Sequence, residues 1–486
     1  MTSSNPSHLF ASPVRLNLGA QAGLAPDDLE AEEEHGSDWA HVATGRKEDV
    51  KRADEGGGDE GEERVCAAPE GGRAHQRVAD NEHRGAPSQD GEEWAQGGFE
   101  LDVTSAEWAE WTKAVQALAT TNKVVLDINR IGADGQQQLE AVGGLGNLTI
   151  WEQVGFLHNY LSPHIHGNNI FLLFHRKFTA WVEQLMIEAN PSFTGMFYWS
   201  TELQPTPPQW SVDSVWNNLG QAQGDGMPIT NGPIPNVDFW VITPNDTALP
   251  SAAGLPVLRG YQLNNLTSFN NENYYFASAD FYNNAYVQTK NQGFHAYADT
   301  VEGLHGYFHN AQGGTAGHMA FMWSPLDFVF WVHHPNVDKL YHETQVRWQQ
   351  DKMTQAFQIQ GTCPENPSSP SSCLTLQTQL PYFTELTVDD VQFSSQVCVR
   401  YAPAVNGPTG KQGLAKRGRA PAPAIRPHLP LLDDTWWEIN FAAAGPAKAA
   451  EARDSFADFL ASTHDLIDAG VAIEAPVARK ATKITA

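Results

Sequence analysis

The chain has 486 residues, of which 41% are hydrophobic and 10% aromatic, so it can bury a large core. Lys and Arg together number 30 against 57 for Asp and Glu, which gives a formal net charge of −27. This charge disfavours nucleic acids and anionic membrane surfaces as partners, because both are negatively charged. The sequence also lacks the unbroken run of roughly 18 apolar residues that a membrane helix needs. We therefore expect neither a nucleic-acid partner nor a membrane partner.

The first part of the chain, residues 1–98, is rich in Gly, Glu, Asp, Ala and Arg and poor in β-branched and aromatic residues. Such an acidic, low-complexity segment cannot bury enough apolar surface to fold alone. It also lacks the continuous apolar stretch of a secretory signal. Two interpretations remain open: the segment is disordered, or it is an artefact of gene prediction and a true signal peptide is missing.

Helical and loop-like patterns alternate in the middle of the chain. The sequence T-S-A-E at residues 104–107 predicts a capped helix start, because Glu stands three residues after the capping Thr. Residues 151–189 and 298–350 have helical patterns, whereas residues 205–284 are rich in Asn, Gly and Pro and predict long loops. Residues 374–401, rich in Thr and Val, predict short strands.

These patterns suggest four parts. After residues 1–98 comes a globular domain at residues 99–401, then a Pro/Ala linker at residues 402–430. The linker contains the dibasic step Lys416-Arg417, and residues 431–486 form a tail. The tail contains enough apolar residues to need a surface on which to pack.

Histidines cluster unevenly along the globular domain. The chain has 18 of them, and two groups stand out. The first group comprises His158, His166 and His175, and the second comprises His305, His309 and the adjacent pair His333-His334.

The spacing and the flanking residues suggest metal ligands. His305 and His309 are one helical turn apart, so both imidazoles can face one metal ion. That spacing alone is weak, because such a pair is often solvated or part of a core. However, FLLF precedes His175 and FVFW precedes His333, which predicts burial. A buried neutral imidazole needs a partner for each nitrogen, and a metal ion can be one of them.

The ligand type narrows the choice of metal. Ligation by imidazole alone suits copper, zinc or iron, whereas magnesium and calcium sites use carboxylates. Zinc hydrolases commonly add a carboxylate, and the sequence has no H-E-x-x-H motif. Two groups of three histidines therefore favour two copper sites.

Residues 150–345 resemble the tyrosinase, catechol oxidase and hemocyanin superfamily, in particular the short fungal polyphenol oxidases. The resemblance at the first site rests on Phe171, Arg176 and Glu183 around His175, and on MFYWS at residues 196–200. At the second site it rests on the histidines together with Gly313-Gly314, Asp327, Phe330 and Asp338.

The resemblance implies which residues bind two copper ions. One ion would be bound by His158, His166 and His175, and the other by His305, His309 and His334. His334 is preferred to His333 because the family's third ligand stands four residues before the Asp that matches Asp338. No other side chain is expected to be catalytic. Arg176 and Glu183 are interpreted as buried structural partners, and Phe330 is expected to pack on an imidazole.

The resemblance also implies fold and activity. The expected fold is mainly α: a tyrosinase-like core in which a four-helix bundle holds a binuclear copper site, with long loops and minor β structure. The expected reaction oxidises o-diphenols or o-aminophenols to quinones while dioxygen is reduced to water. Two alternatives are a tyrosinase that also hydroxylates monophenols and a hemocyanin-like oxygen carrier. The partners would be a phenolic small molecule and dioxygen; secretion is expected, and the oligomeric state is not indicated.

Two departures from the family pattern bear on function. His164 stands where fungal members often have a Cys linked to the second ligand, so no thioether can form. Gly306 stands where members that hydroxylate monophenols often have Asn. The C-terminal tail, by contrast, agrees with the resemblance, since C-terminal extensions of the family often cover the site until proteolysis. Cleavage near Arg417 is thus predicted to activate a latent precursor; the alternative is a tail docked outside the core.

Overall fold

The computed structural model of the chain describes residues 103–353, 359, 374–399, 401, 428–471 and 473, except for residues 223, 236, 241–254, 262–273, 291, 315 and 442–444. The acidic segment 1–98 and most of the linker 402–430, including Lys416-Arg417, lie outside these residues.

Helices dominate the described residues, which confirms the prediction of a mainly α fold. The α-helices are α1 Ser105–Thr120, α2 Ala133–Ala141, α3 Ile150–Ile165, α4 Phe171–Ala189, α5 Pro207–Trp210, α6 Trp216–Leu219, α7 Ala279–Thr289, α8 Phe294–Gly313, α9 Phe330–Gln350, α10 Asp434–Asn440 and α11 Pro446–Asp468. Short 3-10 helices lie at Ile128–Arg130, Leu145–Asn147, Thr201–Leu203, His318–Ala320, Ser324–Leu326, Val388–Asp390 and Ser394–Val397. None of the described helices is both long enough and apolar enough to cross a membrane.

The β structure of the described residues is minor, as predicted. Its strands are β1 Met227–Pro228, β2 Asp238–Phe239, β3 Leu255–Pro256 and β4 Leu258–Arg259. They form two antiparallel pairs, β1 with β4 and β2 with β3.

The prediction of short strands at residues 374–401 is wrong for the part of that segment that the structure describes. Those residues form two 3-10 helices and a single isolated bridge between Gln379 and Thr387. The reason is local: Pro, Ser and Asp interrupt the Thr and Val residues every few positions, and these residues favour turns over an extended ladder.

The first helices begin where their capping residues predict. The Thr104 side chain accepts a hydrogen bond from the Glu107 N–H, and Glu107 accepts one from the Thr104 N–H, which confirms the predicted capping box of α1. Thr149 and Glu152 form the same arrangement at α3. Nearly every residue of α3 is buried, because this helix runs through the core instead of along its surface.

Four helices surround the centre of the domain: α3, α4, α8 and α9. Helix α4 contacts each of the other three, and α8 also contacts α9. The side chain of Arg176 on α4 forms an ion pair with Asp338 on α9, with Nε and Oδ1 2.6 Å apart and both side chains buried. Six of the seven histidines of the two predicted groups lie on these four helices, and His166 lies directly after the end of α3.

Candidate metal centre

The structure brings the two predicted histidine groups together inside the bundle. His158 lies on α3, His166 directly follows the end of α3, and His175 lies on α4. His305 and His309 lie on α8, and His333 and His334 lie on α9.

The first cluster consists of His158, His166 and His175. One ring nitrogen of each lies within 4.8 Å of the corresponding nitrogen of the others. His158 Nε2 and His175 Nε2 are 3.2 Å apart, and the His166 ring centroid is 5.0 Å from each of the other two. All three side chains are buried. Three imidazoles in this arrangement can bind one metal ion.

Backbone carbonyl groups orient the rings of the first cluster. The Nδ1 atoms face carbonyl oxygens at 2.6 Å from His158 to Met322, 2.8 Å from His175 to Phe171, and 3.3 Å from His166 to Ser162. A ring that donates its Nδ1–H to a carbonyl keeps its lone pair on Nε2. The Nε2 atoms of His158 and His175 face each other, so these lone pairs point into the cluster.

The second cluster consists of His305, His309, His333 and His334, whose candidate ligand nitrogens also lie within 4.8 Å of one another. His309 Nε2 and His334 Nε2 are 3.3 Å apart. The Nδ1 of His305 is 2.5 Å from the Glu302 carbonyl oxygen, and that of His309 is 2.8 Å from the Met319 carbonyl oxygen. Hydrogen bonds from ring Nδ1 atoms to backbone carbonyl oxygens thus orient imidazoles in both clusters.

Both members of the His333-His334 pair are within reach of this cluster. His334 stacks on Phe330, with ring centroids 4.0 Å apart, which confirms that Phe330 packs on an imidazole. His333 stacks on Phe308, also at 4.0 Å. His334 as the third ligand stays a prediction; the short distance between its Nε2 and that of His309 favours it.

Burial keeps these imidazoles neutral. It lowers the pKa of His158 to about 3 and that of His309 to about 4. It also lowers the pKa values of the remaining members of both clusters, His166, His175, His305, His333 and His334, well below the usual range. Neutral imidazole is the form that binds a metal ion.

The two clusters are direct neighbours. The rings of His175 and His334 stack with centroids 4.5 Å apart, and Phe171 contacts both His175 and His305. Ions bound at the two clusters would therefore be close together. The donors are neutral imidazoles, all buried except the half-buried His309, and neither cluster includes a cysteine or carboxylate ligand atom. This donor set fits copper.

Buried polar residues connect the helices around the clusters. Arg176 pairs with Asp338 and also donates to the Gln392 carbonyl oxygen at 2.5 Å. Glu183 accepts a hydrogen bond from the Met196 N–H at 3.3 Å. These contacts are with helices and loops, which confirms the interpretation of Arg176 and Glu183 as buried structural partners.

Several supporting groups were not predicted. The carbonyls of Met319 and Met322 leave no mark in a sequence, because every residue has a carbonyl. Glu302 is fully buried, and its Oε1 accepts a hydrogen bond from the Gly167 N–H at 2.8 Å. Burial raises its pKa well above the usual range. Glu302 thus joins α8 to the turn after His166. The sequence feature that could have indicated this role is a Glu in an otherwise apolar helix, three residues before the predicted ligand His305.

His164 lies apart from the clusters. Its side chain is exposed, although His166 is only two residues away. The helix ends between them, so the two side chains point to different environments. His164 therefore remains a natural control for tests of the buried histidines.

A cavity of about 310 Å³ opens onto both clusters. His158 and His166 line it from the first cluster, and His305 and His309 from the second. Residues of α10 line the other side. Its size is at the lower end of small-molecule sites, which suits a ligand of one ring.

The Trp436 side chain on α10 lines this cavity beside α8. A Cβ atom at Gly306 would lie only 2.5 Å from Trp436 Cζ2, so a glycine is needed there for the indole to fit. Trp436 is buried, and its ring centroid is 6.4 Å from that of His305.

Comparisons with known proteins identify one matching family model and similar solved structures. The family model of the common central domain of tyrosinase matches residues 148–351. A mutant polyphenol oxidase from Thermothelomyces thermophila resembles the structure with a TM-score of 0.45 and 18% sequence identity, over 60% of this chain and 84% of that chain. None of the curated proteins compared matches the chain. The family match runs from the start of α3 to the end of α9 and includes both histidine clusters, so residues 148–351 are similar to the central domain of tyrosinase.

Proposed function

We propose that the chain is a polyphenol oxidase that holds two copper ions and oxidises o-diphenols or o-aminophenols to quinones or quinone imines. The observation that carries this proposal is the pair of adjacent clusters of buried neutral imidazoles, open to a single cavity. His158, His166 and His175 would hold one ion, and His305, His309 and His334 the other.

The electrons and protons of the reaction balance when two diphenol molecules are oxidised for each dioxygen molecule reduced. Each o-diphenol loses two electrons and two protons when it becomes a quinone. Two such oxidations supply the four electrons and four protons that convert one dioxygen molecule into two water molecules. Copper, when bound, supplies the electron transfer between the phenol and dioxygen. Two neighbouring sites fit this stoichiometry, because each substrate gives up its electrons in a pair.

The protein residues position the metal ligands and shape the substrate site. The carbonyls of Met319 and Met322 hold the rings of His309 and His158 in one orientation. Phe171 and Phe330 pack against the imidazoles and keep water from their faces. The cavity leaves room for an aromatic ring beside both clusters.

Oxygen uptake by the copper-loaded full chain tests the proposal. We expect uptake with 4-tert-butylcatechol, together with the absorbance of its quinone, and none with tyrosine. Uptake with both substrates would favour the tyrosinase alternative. Reversible oxygen binding without oxidation of either substrate would favour an oxygen carrier, and the absence of any response to oxygen would overturn the proposal.

Gly306→Asn is predicted to destabilise the protein without producing tyrosine hydroxylation. The new Cβ would meet Trp436 at 2.5 Å, so the indole must shift or the helices must separate. Overpacking of this kind typically costs about 1–3 kcal/mol. Thermal unfolding and oxygen uptake with tyrosine would measure the two effects.

A double-mutant cycle identifies the cause of this destabilisation. The cost of Gly306→Asn should be at least about 1 kcal/mol smaller in a Trp436→Ala background, because the clash is then removed. Gly146→Asn is the matched control, since a Cβ there meets no atom within 4 Å. An equal cost of Gly306→Asn in both backgrounds would show that Trp436 is not the obstacle.

A further inference from the structure

The described residues between 428 and 471, which we call the docked segment, comprise α10, α11 and the residues beside these helices. Helix α11 contacts α7 and α8 of the central domain. Asn284 Nδ2 donates to Thr463 Oγ1 at 2.8 Å in a buried contact, and the Tyr307 hydroxyl donates to the Pro430 carbonyl oxygen at 2.6 Å. These bonds connect the segment to α7 and to α8, and α8 carries His305 and His309.

Apolar contacts hold the same segment more extensively. Phe456, Phe459 and Leu460 on α11 are 3%, 5% and 3% exposed. Phe456 lies so close to Gly303 on α8 that a Cβ there would be 2.6 Å from its ring. Side chains buried to this extent belong to the core, and their removal would expose a large apolar surface of α7 and α8. A backbone cut in the preceding linker leaves all these contacts in place.

The docked segment also forms one side of the cavity at the metal centre. Asp433, Thr435, Trp436, Ile439 and Asn440 all line it. Trp436 occupies the space above Gly306 and its ring centroid is 6.4 Å from that of His305, so a phenol bound beside His305 would lie next to α10. The docked segment therefore leaves the cavity open to the histidines and limits the shape of a phenol that can enter it.

The residues of the docked segment that line the cavity contribute a negative charge. Among the described residues that line the cavity, Asp433 is the single carboxylate, and there is no Lys or Arg. Asp433 is also fixed in place, because it caps α10: its Oδ1 accepts a hydrogen bond from the Trp436 N–H at 2.8 Å. A fixed negative charge at the mouth of a narrow site attracts cations and repels anions.

We propose that the docked segment is a permanent wall of the phenol site and that Asp433 makes the enzyme prefer diphenols with a cationic side chain to diphenols with an anionic one. This inference rests on the proposed function. It assigns the segment a role in substrate selection, in contrast to the removable cover that the sequence predicts.

Substrate pairs that differ in charge test the role of Asp433. The values of kcat/KM for dopamine, which is cationic, and 3,4-dihydroxyphenylacetate, which is anionic, are compared at low ionic strength. Asp433→Asn removes the charge and keeps the cap, because Asn caps helices as well as Asp does. We expect the ratio of dopamine to 3,4-dihydroxyphenylacetate to fall roughly fivefold to tenfold, the size expected for charges that interact across a hydrated mouth. Added salt should reduce the wild-type ratio.

Asp465→Asn is the matched control, since Asp465 is exposed on α11 and does not line the cavity. It makes the same change in net charge and should leave the substrate ratio unchanged. If the two variants have the same ratio, the proposed role of Asp433 is overturned. Oxidation of 4-tert-butylcatechol by the unaltered enzyme is measured alongside; its absence would refute the proposed function instead.

A cleavage experiment tests the docking without relying on activity. Lys416-Arg417 is replaced by the recognition sequence of a single-site protease, and the cleaved full chain is analysed by size-exclusion chromatography and by denaturing electrophoresis. We expect two fragments on the denaturing gel that elute as one species from the column. Separation of the C-terminal fragment under native conditions, with a higher rate on 4-tert-butylcatechol, would show a removable shield and overturn the proposal.

Discussion

Replacing His175 by Ala should lower the rate of catechol oxidation by more than about 100-fold, because changes in groups that merely orient a metal ligand already cost 10–100-fold. His175 belongs to the first cluster and contacts the second: its Nε2 is 3.2 Å from that of His158, and its ring stacks on His334 at 4.5 Å. The substitution removes one of three proposed ligands of the first ion and leaves a space beside the second. Copper analysis and oxygen uptake of the purified variant measure both losses.

His164→Ala is the control for this prediction. His164 is exposed and lies outside the clusters, so the variant should keep its copper and most of its activity. His309→Ala should behave like His175→Ala, since His309 is a half-buried member of the second cluster and its Nδ1 is 2.8 Å from the Met319 carbonyl oxygen. Loss of copper from His164→Ala with retention in His175→Ala would mean that the first site is assigned to the wrong residues.

Asp338→Asn should lower the free energy of unfolding by about 3–5 kcal/mol, the usual cost of breaking a buried ion pair on one side. Arg176 is 0% exposed and its guanidinium is 2.6 Å from Asp338, so the variant leaves a buried positive charge without its counter-ion. The pair joins α4 to α9, which carry His175 and His334. Denaturant unfolding of the variant and the unaltered chain measures the difference.

The matched comparison is Lys113→Ala, which removes the partner of Glu110 from an ion pair at the surface, where the Lys113 side chain is 61% exposed. Water and salt already screen that pair, so the free energy of unfolding should change much less than in Asp338→Asn. Equal effects of the two substitutions would contradict the view that the buried pair holds the two ligand-bearing helices together.

Local signals in the sequence are sufficient for the starts of two helices. Thr104 and Thr149 begin α1 and α3 through capping boxes, which depend on residues three positions apart. Helix α7 was missed because it begins at Ala279, inside a segment whose Asn and Gly content predicts loops. Its core-facing Phe281 and Ala285 do have helical spacing, but burial against neighbouring helices overrides the weak propensities of the Asn residues.

The site was predictable only in part. Burial of His175 and His333 followed from the apolar residues before them, and the structure places both side chains in the core. Contacts between distant parts of the chain were not predictable, because no local pattern encodes them. Examples are the Met322 carbonyl that orients His158 and the indole of Trp436 above Gly306. The sequence indicated that the tail needs a surface, but it could not identify α8 as that surface.

The stoichiometry of copper binding tests the central claim most directly. The metal-free chain is titrated with Cu(I) without oxygen, in competition with a chromophoric chelator, and the His175→Ala and His309→Ala double variant is titrated in parallel. The two histidine clusters predict two tightly bound copper ions per chain and the loss of both in the double variant. Fewer than two ions in the unaltered chain, or two ions retained by the double variant, would contradict a binuclear copper centre at these residues.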